Sequence, residues 1–270
     1  MGFSTLNQLY SALSGATPGQ RQTKVYRKAS ITAVAANYYS LWKAAGFPTA
    51  GVSGTPPACA VCTKDTVGAL PILNPAVMRT LHLLPPSVGG TVLGGLIFYD
   101  RLLEAAINLT IDTLQTFTGE MAPRRYTDGV GNMLFLEMTT ATTVTAATLT
   151  ITYINTLGET KTATLSLAAA EVVDRCYFID LAAGDVGIKS IVSAQLSAAK
   201  TGGQANLVLF NEAMKIPTQI VANTYTPAPV MDLPQVLKDA CLAALVLAST
   251  TSTGVIDARV PLVEGGGFTP

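Results

Sequence analysis

The chain has 270 residues, with 17 Lys or Arg and 17 Asp or Glu, so its net charge is zero. Charged residues make up only 13% of the sequence, against about 25% in ordinary globular domains, and hydrophobic residues make up 49%. The zero balance argues against a general nucleic-acid binder, which needs a surplus of Lys and Arg to neutralise phosphates. The length allows one large or two modest domains with a substantial core, and the scarcity of charge leaves a neutral surface for contact with partners.

The sequence predicts no targeting signal and no membrane span. The first six residues lack the basic start and apolar run of a secretory signal, and Leu6 stands where a myristoylation site needs Ser or Thr. The longest uncharged stretch, 80–99, is broken by prolines and paired glycines and is therefore unsuited to crossing a bilayer. We expect a chain that is soluble or assembled, with no membrane partner.

Residues 1–92 are expected to form a helical and loop-rich anchoring region. The spacing of apolar residues predicts one helix over about 4–13 and a second over 31–45. Gly46 stands where the C-cap of the second helix would lie. The following stretch, 47–92, is rich in Pro, Gly, Ala and Thr and is expected to be loop-like.

A basic cluster lies between the two predicted helices. It contains Arg21, Lys24, Arg27 and Lys28 with no acidic residue among them. The cluster has two interpretations: contact with nucleic acid or the acidic surface of a partner subunit, or a solvated face without a binding role. One such cluster in a neutral protein favours the solvated face.

Residues 93–217 are expected to form an antiparallel β-sandwich or jelly-roll-like domain. Residues 139–164 hold twelve threonines and only two charges, Glu159 and Lys161. Alternation on either side of a Gly-containing turn, in β-branched sequence, predicts a hairpin. The predicted strands are 133–138, 148–155, 159–167, 176–179, 188–197 and 206–210, and 93–103 is expected to be a strand or a short helix.

The last region, 218–270, is expected to contain a linker, a short helix at about 233–247 and an extended C-terminal tail. With the helical region 1–92 in front of the β-sandwich-like domain 93–217, the predicted fold class is α+β.

Four cysteines offer three kinds of chemistry. Cys59 and Cys62 have the CxxC spacing of redox centres and half zinc sites, but they lie in a predicted loop, whereas a redox centre needs a helix N-terminus. A zinc site needs a second pair, and only isolated Cys176 and Cys241 remain, with His82 as a spare ligand. Reduced thiols are favoured; a disulfide between residues 59 and 62, or to Cys241, stays open.

The sequence offers little for catalysis. His82, the only histidine, lies among apolar residues, and no G-x-S-x-G, phosphate-binding or dinucleotide-binding motif accompanies it. Trp42 falls on the apolar stripe of the second predicted helix, where a core anchor is favoured over a ligand platform. The candidate acid and base residues for glycoside hydrolysis are Glu104, Asp112, Glu120 and Asp128, and no spacing singles out a pair. We therefore predict a protein that is not an enzyme, with no catalytic, cofactor-binding or metal-binding residues and no cofactor.

Four phrases occur in order along the chain: IFYDRLL at 97–103, RRYTDG at 124–129, LTITYINTLG at 149–158 and LAAGDVGIKSIVSAQLS at 181–197. Their succession resembles the virion structural proteins of tailed bacteriophages. The similarity spans roughly residues 93–215, and its phrases mark strands and turns, so it carries over no functional residue.

The resemblance implies a virion protein, assembled in the host cytoplasm, whose partners are the major capsid protein or other virion subunits. It further implies a homo-oligomer acting as a capsid cement or decoration subunit, anchored to the head by residues 1–92. A tail, neck or baseplate subunit is the first alternative. A receptor- or carbohydrate-binding module is the second, and the low aromatic content of 7% counts against it.

Overall fold

The computed structural model describes residues 21–74, 80–83, 87–89, 95–216 and 234–265, and in these ranges the chain forms strands, turns and loops without a helix. The strands are β1 (Arg21–Lys28), β2 (Tyr38–Ser40), β3 (Gly46–Phe47), β4 (Ala58–Val61), β5 (Thr80–Leu83), β6 (Ser87–Gly89), β7 (Gly95–Asn108), β8 (Gln115–Thr116), β9 (Thr118–Gly119), β10 (Asn132–Met138), β11 (Ala147–Asn155), β12 (Thr160–Leu167), β13 (Arg175–Ile179), β14 (Ile188–Leu196), β15 (Gln204–Ile216), β16 (Gln235–Val236), β17 (Leu242–Leu247) and β18 (Ile256–Gly265).

The predicted α+β class is wrong, because the described chain is all-β. The predicted helix 31–45 is replaced by a turn and β2. Tyr39 packs on the outside of the six-stranded barrel described below, whereas Trp42 lies in the interior of the barrel. The predicted helix 233–247 is replaced by β16 and β17. β17 is buried on both faces, which makes its sequence a continuous apolar run that periodicity cannot distinguish from a helix. The predicted helix 4–13 lies outside the described residues.

Six strands close into a barrel. In order around the ring, β15, β10, β13, β2, β17 and β7 pair antiparallel with their neighbours, and β7 pairs back to β15. Alternate side chains point inwards, and an aromatic cluster fills the interior: Tyr99, Phe135 and Phe210 meet edge to face or tilted, with centroids 5.1–5.6 Å apart. Trp42, which is fully buried in this interior cluster, is a core anchor as predicted.

Two further sheets cover the outside of the barrel. The terminal sheet, formed by β1, β3, β5, β6, β16 and β18, joins the N-terminal and C-terminal strands of the described chain. The threonine sheet has the order β12-β11-β14-β8. The first half of β7 packs under the terminal sheet through Leu96 and Phe98, and its second half packs under the threonine sheet through Leu103 and Ile107. The barrel is therefore the middle layer of three.

The predicted strands from 133 to 210 are confirmed. The hairpin of β11 and β12 pairs without a register shift from Ile154–Thr160 to Ala147–Leu167. Its turn is set by Asn155, whose side-chain oxygen accepts hydrogen bonds from the backbone N–H of Leu157 and Glu159. Gly158 adopts a φ of 84°, which a residue with a side chain rarely does. The predicted tail is extended in its described part, but it pairs as β18 with β1 of the same chain.

Candidate functional site

An ion-pair cluster lies inside the barrel. The guanidinium of Arg101 donates to the carboxylates of Glu137 and Glu104, each at 2.7 Å, and lies 4.6 Å from the ring of Trp42. Arg101 and Glu137 are fully buried. Burial alone would raise the pKa of Glu137, but the charge and hydrogen bonds of Arg101, with further hydrogen bonds from Ser40 and Asn206, hold it below its ordinary value. The cluster is therefore charged and internally neutralised.

A second buried pair holds a loop against the end of the barrel. Arg125 binds both carboxylate oxygens of Asp100, at 2.7 and 2.8 Å, and donates to the carbonyl of Cys62 at 2.9 Å. Asp100 also accepts from the backbone N–H of Cys241 at 2.8 Å. Burial raises the pKa of Asp100, whereas Arg125 opposes the rise. The bidentate geometry fixes orientation as well as charge.

These contacts, with a further set at the hairpin turn, connect the four phrases in pairs. Asp100, in the phrase 97–103, binds Arg125, in the phrase 124–129. Asp185, in the fourth phrase, accepts from the hydroxyl of Tyr153 at 2.5 Å and from the side-chain amide of Asn155 at 2.9 Å, both in the third. The hydrogen bonds from Tyr153 and Asn155 lower the pKa of Asp185. The phrases thus supply the polar contacts that hold loops and hairpin to their neighbours.

Of the four candidate carboxylates, one belongs to a buried ion-pair cluster and three lie apart at the surface. Glu104 belongs to the Arg101 cluster and also accepts from the backbone N–H of Gly54. Glu120 pairs with Arg124 at the surface, and this hydrogen bond lowers its pKa, which is unsuited to a general acid. Asp112 and Asp128 are exposed.

The cysteines are buried free thiols. Cys62, Cys176 and Cys241 belong to the interior cluster of the barrel, and Cys59 lies in β4. Burial raises the pKa of Cys59 to about 12, so its reactive thiolate form is disfavoured at neutral pH. The described residues contain no group of three or more His, Cys, Asp or Glu placed to hold a metal ion. His82 lies in β5, opposite Gln235 in the strand pairing.

The four residues of the predicted basic cluster are divided between the two faces of β1, because side chains alternate along a strand. Arg21 and Arg27 are exposed, and Lys24 is half-buried. Lys28 is fully buried, with its Nζ donating to the carbonyls of Ala44, Pro48 and Thr49 at 2.8–3.4 Å. Burial lowers the pKa of Lys28 to about 8. Lys28 therefore stabilises the chain on both sides of β3 instead of contributing to a basic surface.

Asp174, which no sequence pattern singled out, is an unfavourably placed acid. It adopts a positive φ of 65°, and its Oδ1 is buried without a hydrogen-bond partner. Burial raises its pKa from 3.8 to about 6, and the nearby charge of Glu137 adds to the rise while Lys43 opposes it.

The outer side of the threonine sheet carries a regular array of hydroxyl groups. The residues of this hydroxyl face are Thr148, Thr150 and Thr152 of β11 and Thr160, Thr162, Thr164 and Ser166 of β12. The pairing puts six of them directly opposite one another, as in Thr150–Thr164 and Thr152–Thr162, and puts Thr160 opposite Ile154. The β12 members are exposed and the β11 members are half-buried, and none is charged. This array can form contacts with another protein without desolvating an ion.

In the described part of the chain, no helix is long and apolar enough to cross a membrane. Comparison of the chain with models of protein families, with curated proteins and with solved structures gives no match.

Proposed function

We propose that this chain is a structural subunit of a tailed-bacteriophage virion. Its role is that of a cement or decoration protein, which binds the major capsid protein and copies of itself across the outer lattice of the head. The observation that carries the proposal is the hydroxyl face, an ordered and uncharged surface on one outer layer of the molecule. The resemblance of the four phrases to phage virion proteins supplies the biological setting.

An uncharged surface of stiff side chains lowers the free-energy cost of forming an interface. The cores of protein interfaces are depleted in Lys, Glu and Asp, because burying an unpaired charge is expensive. Threonine is β-branched and stiff, so ordering its side chain costs less entropy than ordering Lys or Glu. The buried pairs Arg101–Glu137 and Asp100–Arg125 fix the barrel underneath, and a preorganised surface loses less conformational freedom on binding.

The ionisable groups support a structural role as well. The most deeply buried charges are engaged by partners within the fold: Arg101 by two carboxylates, Lys28 by carbonyl groups, and Asp100 by Arg125.

The proposal predicts that particles without this chain are less stable. We expect such particles to release DNA at a lower temperature than complete particles, and purified chain added back to restore the release temperature. The variant Thr148→Lys/Thr152→Lys, which charges the hydroxyl face, should fail to restore it, whereas Thr127→Lys on an exposed loop should succeed. Release of DNA would be followed by dye fluorescence during heating.

Two other outcomes would replace the proposal. Heads of unchanged stability without tails would identify a tail, neck or baseplate subunit. Complete particles of unchanged stability that fail only to adsorb to cells would identify a receptor-binding module.

A further inference from the structure

We propose that β12 is a self-pairing edge, through which two copies of the chain join antiparallel strands across a two-fold axis. The four-stranded threonine sheet of each copy would become half of one eight-stranded sheet. This proposal concerns association of the purified chain, so its test does not depend on where the protein is located in a particle.

β12 is unusual among the edges of the described sheets because of its length. It has eight residues and pairs only with β11. The strands that end the other described sheets or extend the barrel sheet, namely β3, β9 and β16, have two residues each, as does β8 at the opposite edge of the threonine sheet. β1 extends beyond β3, but it carries the basic residues, and Gln22 on it makes two hydrogen bonds to the backbone of Leu73.

β12 also carries only one of the features that prevent edge strands from pairing, a single lysine next to its turn. Such features include proline, a β-bulge, inward-pointing charges and exposed lysines. β12 contains no proline, and its eight pairs with β11 show no register shift, whereas the β11–β14 pairing on the other side has two. Its one charged residue, Lys161, lies near the turn with its Nζ 3.0 Å from the carboxylate of Glu159.

The direction of the free backbone groups follows from the hairpin. The N–H of Asn155 donates to the carbonyl of Glu159 at 3.0 Å, so these two residues form a hydrogen-bonded pair. Because hydrogen-bonded and non-hydrogen-bonded pairs alternate in an antiparallel ladder, the N–H and C=O groups of Thr160, Thr162 and Thr164 point away from β11. They form an open row of donors and acceptors that another strand can pair with.

A second copy of β12 fits this row on both faces of the sheet. With the axis at Thr164, each Thr164 lies opposite its counterpart and each Thr162 lies opposite Ser166 of the second copy, and such hydroxyl pairs are favourable across strands. On the inner face, the half-buried Leu165 lies opposite Ala163 of the second copy. Lys161 lies opposite Leu167 of the second copy, so like charges do not meet. The hydroxyl face continues unbroken across the axis.

Removal of one outward N–H tests the pairing. We expect the chain to be a dimer by sedimentation equilibrium, and Thr164→Pro to raise the dimer dissociation constant about tenfold to a hundredfold, because two symmetry-related hydrogen bonds are lost. The N–H of Thr164 is not used in the pairing with β11, so an edge proline is compatible with the folded monomer. Thr150→Lys, on the same face but not at the edge, should leave the constant unchanged.

Cross-linking tests the register. Under a mild thiol oxidant, Thr164→Cys should form a disulfide between two copies, because paired strands bring Cα atoms to about 5.5 Å, within the range for a disulfide. Thr160→Cys should not, since the proposed axis places it opposite residue 168 of the second copy. A monomer at every accessible concentration, or a Thr164→Pro variant that dimerises as tightly as the parent chain, would overturn the proposal. So would a dimer that cross-links at 160 and not at 164.

Discussion

Replacement of Arg101 by Met should lower the free energy of unfolding by about 3–5 kcal/mol, as expected when one partner of a buried ion pair is removed. Arg101 is fully buried and neutralises Glu137, which is also fully buried, and Glu104. Without the guanidinium, two carboxylates are left inside the fold without a counter-charge. Urea unfolding at pH 7, followed by the fluorescence of Trp42, measures the loss.

The matched control for this prediction is Arg124→Met. Arg124 makes the same kind of pair with Glu120, but at the surface, where solvent screens the ion pair, so this variant should change stability little. The double variant Arg101→Met/Glu137→Gln should recover part of the stability lost in the single variant, because one of the unpaired charges is removed as well. Equal stability of the Arg101→Met variant and the parent chain would show that the buried Arg101 cluster does not stabilise the fold.

Replacement of Asp174 by Asn should raise the free energy of unfolding at pH 7. A pKa raised from 3.8 to about 6 means that the folded chain holds this proton at pH values where the unfolded chain has released it. Stability from this group is thus complete below about pH 4 and falls as the pH rises through 6. The difference between the two pKa values corresponds to about 3 kcal/mol, and because the side chain is partly exposed we expect a gain of about 1–2 kcal/mol.

Asn suits this position for a second reason, since it tolerates the positive φ of Asp174 better than most residues. The gain should shrink towards zero as the pH is lowered to 4, which urea unfolding at several pH values would show. Asp112→Asn, at an exposed position, is the control and should change stability little at any pH. A variant that is less stable than the parent at pH 7 would show that the ionised carboxylate of Asp174 has a favourable partner.

The hairpin of β11 and β12 could be predicted because its information is local. Threonines alternate with apolar residues on both sides of Asn155 and Gly158, one face is buried against the barrel, and the turn supplies its own hydrogen bonds. In such a segment the period of the side chains is the period of the structure.

The helices predicted at 31–45 and 233–247 could not be excluded from the periodicity of the side chains. In the barrel, neighbouring residues of one strand pack into different hydrophobic cores. Leu242, Ala244 and Val246 of β17 pack under the terminal sheet, whereas Ala243 and Leu245 face the interior. Both faces of the strand are apolar, so alternation is lost.

The pairing of the buried charges could not be predicted either, because the partners are far apart in the sequence. Asp100 and Arg125 are 25 positions apart and Arg101 and Glu137 are 36 apart, so their pairing exists only in the closed barrel. The signal present in the sequence was an ionisable residue inside an apolar run, as with Arg101 in IFYDRLL and Glu137 in LFLEM. An unpaired charge in such a run is too costly to bury, so each one predicts a partner without naming it.

The most direct test of the proposed role is a cryo-EM map of the purified virion in which this chain is located. We predict density on the outer lattice of the head, bridging capsomers, with the hydroxyl face of the threonine sheet in contact with a neighbouring subunit. Density confined to the tail or neck, or absence of the chain from the particle, would contradict the account.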